Sequence, residues 1–351
     1  MVASANYTTY IQQLLREMGY RHVPRSEPDA RFWDPYHDWM VNTLGPTLTY
    51  SSKQLAQLEV HAGGIMDFGY PFTDPSLKLI YVKLTAMVIV IDGAMDDEEL
   101  CAQIAMFTNR FYRGEPQPNG LLALYQQSCI EVSDMFGDDA ILRNMGVIPW
   151  IDFLDACLME KQIVKDLMEG PRGASYVDAS GLNFPRYLRS KSGIGEAYAA
   201  AILKANPEQN IPLLKFCRAI PDMSFYIEVM NDVLSFHKEE LEGETYNLIN
   251  LRTRSLSATG ARGTGTDGTW TALDTVKLLC DELRDAAGRI DSIVRLKQCD
   301  RKMQGEVVAE LDDVDVDMAR QWRGFRDGYV SWHLDCSRYQ LESVRMMVHG
   351  P

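Results

Sequence analysis

The sequence predicts an all-α fold in a single domain. Three observations carry this. Apolar residues recur at three- to four-residue spacing along most of the chain, hairpin signals are nearly absent, and no linker or internal repeat divides its 351 residues. By length alone two domains are as reasonable as one. The segments expected to be helical are 7–18, 52–62, 76–97, 99–112, 119–135, 147–168, 193–204, 210–217, 222–241, 270–298, 302–310 and 317–346. The run LKLIYVKLTAMVIVIDG is apolar nearly all round, so it reads as a buried central helix. The proline- and aromatic-rich stretch YRHVPRSEPDARFWDPYHDW reads as an irregular wrap over the core, which makes residues 1–50 partly irregular. Residues 252–269, RTRSLSATGARGTGTDGT, are rich in Gly, Ser and Thr and read as a mobile loop. Their Gly263-x-Gly265-x-x-Gly268 matches a dinucleotide fingerprint by letter, but no strand precedes it.

Composition narrows the class. Hydrophobic residues make up 46% and charged residues 24%, enough apolar material for a large core. The formal net charge of −14 disfavours nucleic acid or an anionic membrane surface as partner. A small anionic substrate is still compatible, because a few local cations or metal ions reverse the field within one cleft. The opening residues lack a basic stretch followed by an apolar run, and AMVIVI at 86–91 is too short to span a bilayer. Seven scattered cysteines without a CxxC pair read as reduced thiols, which places the chain in the cytoplasm.

Four groups of residues carry chemistry. In NDVLSFHKE, Asn231, Ser235 and Glu239 recur at every fourth place. Four helical residues turn roughly 400° and rise about 6 Å, so the three form a ladder on one face. An amide oxygen, a hydroxyl and a carboxylate suit Mg²⁺, which completes its shell with waters and substrate phosphates. In IDGAMDDEEL, Asp92 and Asp96 repeat the four-residue spacing at the C-terminal end of the most apolar helix. Carboxylates there oppose the helix dipole, which favours bound cations or nearby water. Arg189 precedes a Ser-Lys-Ser-Gly break, and Arg338 and Tyr339 lie near the C-terminus. Guanidinium forks match phosphate oxygens, and Lys238 adds a point charge beside the ladder. The six histidines show no metal spacing, and His237 and His333 read as packed or exposed imidazoles.

Together these residues resemble the class I terpenoid cyclases, and most of all the trichodiene synthase group of sesquiterpene cyclases, over roughly residues 50–345. The resemblance maps the family's aspartate-rich motif to Asp92–Asp96 and its second metal motif to Asn231, Asp232, Ser235 and Glu239, with Lys238 in the basic slot. It maps the diphosphate-sensing arginine to Arg189, the effector at the helix break to Ser192 and Gly193, and the C-terminal pair to Arg338 and Tyr339, with Trp332 as a cavity aromatic. It implies a helical bundle around a central apolar cavity, and three Mg²⁺ ions with Mn²⁺ as a substitute. The implied reaction is ionisation of farnesyl diphosphate, release of diphosphate and cyclisation to a sesquiterpene; a homodimer is compatible. The sequence departs from the family pattern at Gly93, where a second aspartate is common. Asp96 or Asp97 is expected to replace it as partner of Arg338. Alternatives are another prenyl chain length, a chain-elongating prenyltransferase, and a non-catalytic isoprenoid-diphosphate binder.

Overall fold

The computed structural model describes residues 5–25, 27–169, 179–306, 308 and 311–349. Among these, no strand forms beyond isolated bridges, and sixteen α-helices follow in order. They are α1 (Ala5–Glu17), α2 (Ala30–Trp39), α3 (Ser52–Gly69), α4 (Pro75–Asp92), α5 (Glu98–Arg113), α6 (Gly120–Met135), α7 (Ala140–Glu169) and α8 (Phe184–Ser192). Next come α9 (Gly195–Ile202), α10 (Leu213–Phe216), α11 (Ile220–Glu242), α12 (Leu248–Ala258), α13 (Ala272–Ile293), α14 (Leu296–Met303), α15 (Asp313–Asp335) and α16 (Glu342–His349).

The helices close into a ring. α15 packs on α3, α3 on α4, α4 on α6, α6 on α7, α7 on α8 and α9, α9 on α11, and α11 returns to α15. α13 and α1 cover the outside of α11. One apolar core runs from Tyr7 to Val344. Local chemistry starts the helices where the ring needs them. Ser51 and Gln54 form a capping box on α3, and Asp74 caps α4 with Pro75 in its first turn. Asp312 and Asp315 form another capping box on α15.

The tightest helix contact sits between α3 and α15. A Cβ at Gly328 would lie 1.8 Å from the Phe68 carbonyl oxygen, so only glycine lets the two backbones meet there. Phe325 and Tyr329 flank that glycine on the inner face, their rings stacked 5.1 Å apart.

Three sequence expectations need correction. The stretch 20–39 is not wholly irregular, because Asp29 caps α2 and the helix runs through Pro35. Burial of Phe32 and Tyr36 offsets the proline, which costs about 3 kcal/mol in a helix interior against roughly 1.5–3 kcal/mol for each buried large apolar side chain. Residues 252–258 belong to α12, and the following turn is tied down by Thr264 N–H donating to Asp274 Oδ2 at 3.0 Å. Finally, α4 stops at Asp92 rather than continuing to residue 97, so Asp96 lies in the turn and not on the face of Asp92. Smaller differences in helix bounds also occur. α7 begins at Ala140 and passes through Pro149; of the expected 302–310 helix only 302–303 are helical, as the end of α14, 304–306 are not, and 307, 309 and 310 lie outside the described residues.

Candidate active site

The helix ring encloses a cavity of about 500 Å³. Asp92 and Asp96 line one side of it, Asn231, Asp232 and Glu239 another, and Arg189, Ser192 and Gly193 a third. Trp332, Arg338 and Tyr339 complete the lining from α15 and the turn after it. Ser235 is buried and lies within hydrogen-bonding reach of the Glu239 carboxyl. Lys238 does not line the cavity. It pairs with Glu242 at 2.9 Å, although its charge still acts on Asp92 and Glu239.

The arginine side is built on α8. Arg189 Nε donates to Asp232 Oδ2 at 2.8 Å, and its Nη2 donates to the Glu228 carbonyl at 3.0 Å and to Asn231 Oδ1 at 3.3 Å. Burial works against the guanidinium charge, but Asp232 and Glu228 outweigh it and hold the Arg189 pKa above its ordinary value. Between α8 and α9 the chain breaks at Gly193. Ile194 there takes a left-handed φ of 55°, which strains a β-branched residue. Glu228 packs into this break. It accepts from Ser224 and Arg186, each at 2.8 Å, and a Cβ at Gly193 would lie 2.3 Å from its Cγ.

The cavity also gathers several poorly hydrated carboxyls. Loss of hydration raises the Asp92 carboxyl above its usual range, opposed by Arg338, Arg189 and Lys238. Burial raises Glu239 in the same way, opposed by the Ser235 hydroxyl. Two carboxylates that sequence reasoning missed join them. Desolvation and the Asp92 charge push Glu160 on α7 up to about 7, and desolvation and Glu239 push Glu244 up to about 7. Among the described residues no ion pair engages Arg338. Asp97 is spoken for, because its side chain caps α5 by accepting from Glu99 and Leu100 N–H groups.

These donors fit a hard cation. The ladder supplies an amide oxygen, a hydroxyl and a carboxylate on one helix face, and poorly hydrated carboxylates surround it. No three His, Cys, Asp or Glu side chains converge on one metal position among the described residues. A cation here would therefore draw on Asn and Ser oxygens and on a bound anion. The rest of the cavity is apolar, with Phe325, Tyr329 and Trp332 along one face of α15 and Phe153 and Tyr198 elsewhere in its lining. Of these the sequence pointed to Trp332 alone; Phe325 and Tyr329 share its helical spacing. Nothing in the sequence singles out Glu160, Glu244 or the cavity-lining His61.

Related proteins identify the family. Terpene synthase BipA of Cochliobolus sativus is 29% identical over 343 residues, covering 97% of this chain and 91% of the relative. Monoterpene synthase 25 of Postia placenta is 30% identical over 267 residues, covering 75% of this chain and 67% of that protein. The chain belongs to the terpene synthase family. No family model matches it. Trichodiene synthase of Trichoderma arundinaceum is 26% identical over 254 residues, 71% of this chain and 55% of the relative. Among solved structures, linalool/nerolidol synthase of Streptomyces clavuligerus superposes with a TM-score of 0.62 at 17% identity, covering 90% of this chain and 99% of that one. The fold is that of the all-α class I terpenoid cyclases, and the enzyme is a lyase acting on prenyl diphosphates. This family is generally metal-dependent. No helix among the described residues is long and apolar enough to cross a membrane.

Proposed function

We propose that this terpene synthase ionises farnesyl diphosphate with the help of Mg²⁺, releases diphosphate and cyclises the cation to a sesquiterpene. The observation that carries this reading is the joint lining of one cavity by Asp92 and Asp96, by Asn231 and Glu239 of the ladder, by Arg189 and Arg338, and by an aromatic face. Asn231, Ser235 and Glu239 would hold one ion, and Asp92 with Asp96 would hold two more. When bound, these ions neutralise the charge of the departing diphosphate. Arg189 and Arg338 offer N–H donors to its oxygens, and Tyr339 offers a hydroxyl. Lys238 adds positive potential from behind the ladder. Phe325, Tyr329 and Trp332 present ring faces that stabilise an allylic cation without reacting with it, and the apolar wall keeps water from quenching it.

The cavity's size lies within the roughly 300–1,000 Å³ usual for small-molecule sites. A ten-carbon substrate is the second reading. One relative is named a monoterpene synthase, and the linalool/nerolidol synthase was solved with 2-fluorogeranyl diphosphate. Incubating the purified enzyme with geranyl, farnesyl and geranylgeranyl diphosphate plus Mg²⁺, and analysing the volatiles, separates the readings. The highest kcat/KM is expected with the fifteen-carbon chain and a cyclic product. Equal or better turnover of another chain length overturns the substrate, and no turnover of any overturns the activity. Seven free thiols fit a reducing compartment, and we infer the cytoplasm.

A further inference from the structure

His333 follows the cavity-lining Trp332 on α15 and is fully buried. Tyr329, Trp332 and Tyr339 wall its ring at centroid distances of 4.5, 4.5 and 4.6 Å. Its Nδ1 lies 2.8 Å from the Tyr329 carbonyl oxygen, one turn back on the same helix. A carbonyl oxygen only accepts, so Nδ1 carries the ring proton. Arg189 Nη2 donates to Asn231 Oδ1, so the amide end turned to the ring, 3.1 Å from Nε2, is the NH₂, which only donates. Nε2 therefore meets it as a bare lone pair.

Only the NH₂ side of the Asn231 amide can donate to that lone pair. Oδ1 points the other way, where it accepts from Arg189 Nη2 at 3.3 Å. The two ends of a carboxamide are nearly the same size, so packing alone does not choose between them. The choice matters, because an amide nitrogen has no lone pair to offer a hard cation, whereas the oxygen has two. We propose that His333 is a positioning residue, whose bare Nε2 locks the Asn231 amide with its oxygen directed to the metal and diphosphate side of the cavity. This rests on reading Asn231 as an oxygen ligand. It makes the Tyr329 carbonyl, His333 and Asn231 a hydrogen-bond chain from α15 to α11, of the kind that orients metal ligands elsewhere.

Two measurements test it. The first is nitrogen NMR of the ¹⁵N-histidine-labelled enzyme, with His333 assigned by its loss in His333→Gln. The expected tautomer has a protonated Nδ1 and an unprotonated Nε2, and a protonated Nε2 overturns the proposal without any variant having to fold. The second is Mn²⁺ binding in the presence of inorganic pyrophosphate, read by electron paramagnetic resonance. His333→Phe should weaken binding about tenfold. His333→Gln should recover most of it, because its Oε1 can accept where Nε2 did. The double variant His333→Phe with Asn231→Ala should bind no more weakly than Asn231→Ala alone. Full addition of the two effects, or unchanged binding in His333→Phe beside weakened binding in Asn231→Ala, overturns the positioning role. Unchanged binding in Asn231→Ala overturns the ligand reading itself, and the positioning role with it.

Discussion

Arg189 Nε sits 2.8 Å from Asp232 Oδ2, so one guanidinium pins the short helix α8 to the ladder helix α11. Both side chains are largely withdrawn from water. Asp232→Asn removes the stronger of the cation's two counter-charges and should lower unfolding stability by about 3 kcal/mol. Urea denaturation measures this, and a loss below about 0.5 kcal/mol would show that the pair does not bind the two helices.

The ladder gives a graded expectation. Glu239 supplies the only formal charge of its three ligands, so Glu239→Gln should lose the most rate, by roughly one to two orders of magnitude. Asn231→Ala should follow, then Ser235→Ala, since water can replace a neutral ligand in part. Raising Mg²⁺ should recover some of each loss. Initial rate against Mg²⁺ concentration decides it, and three curves lying on the parent curve would remove the ladder from the site.

The turn after α4 separates two aspartates that the sequence leaves equivalent. Asp97 caps α5, whereas Asp96 lines the cavity. Asp96→Asn should impair turnover. Asp97→Asn keeps a capping oxygen and should leave turnover intact, while Asp97→Ala costs about 1 kcal/mol of stability. Steady-state kinetics and melting curves on the three variants check the split; impaired turnover in Asp97→Asn with wild-type rates in Asp96→Asn would reverse the assignment.

Glu160 makes a prediction about acidity. Its carboxyl titrates at an ordinary 4.5 when unfolded and at about 7 in the fold, because burial and then Asp92 disfavour the anion. At low pH both states hold the proton and no penalty arises. As pH rises, the unfolded chain releases its proton first, so the group's contribution falls away up to and through about pH 7. In buffer free of divalent ions, Glu160→Gln should therefore match wild type at about pH 4 and exceed it in stability at about pH 8. Denaturation at both values tests the sign, and a variant less stable at the higher value contradicts it.

The helices and the oxygen-bearing ladder were legible because each rests on periodic spacing within one helix. Asn231, Ser235 and Glu239 announce themselves by the four-residue repeat, and of the cavity aromatics on α15 the sequence pointed to Trp332 alone. What escaped depends on contacts between helices. Glu160 is an ordinary glutamate until α7 brings it to Asp92. His333 reads as packing until its two ring nitrogens are seen to face a carbonyl and an amide. Asp96 was placed by extending an apolar helix beyond Gly93, although α4 ends at Asp92. Helix α2 was hidden by Pro35, whose local penalty is overridden by aromatic burial that only the folded chain supplies.

The contact at Gly328 sets a boundary on how this cavity can diversify. With α15 seated backbone to backbone on α3, the rings of Phe325, Tyr329 and Trp332 share one rigid mount, and the same mount carries His333. A substitution that tilts α15 to reshape the aromatic wall also disturbs the hydrogen bond that reaches Asn231. The facing wall is divided among separate helices, with Val88 and Ile89 on α4, Phe153 on α7 and Tyr198 on α9. Side chains there can be exchanged one at a time without moving α15. Product identity can therefore drift across α4, α7 and α9 while the α15 side is inherited as a block.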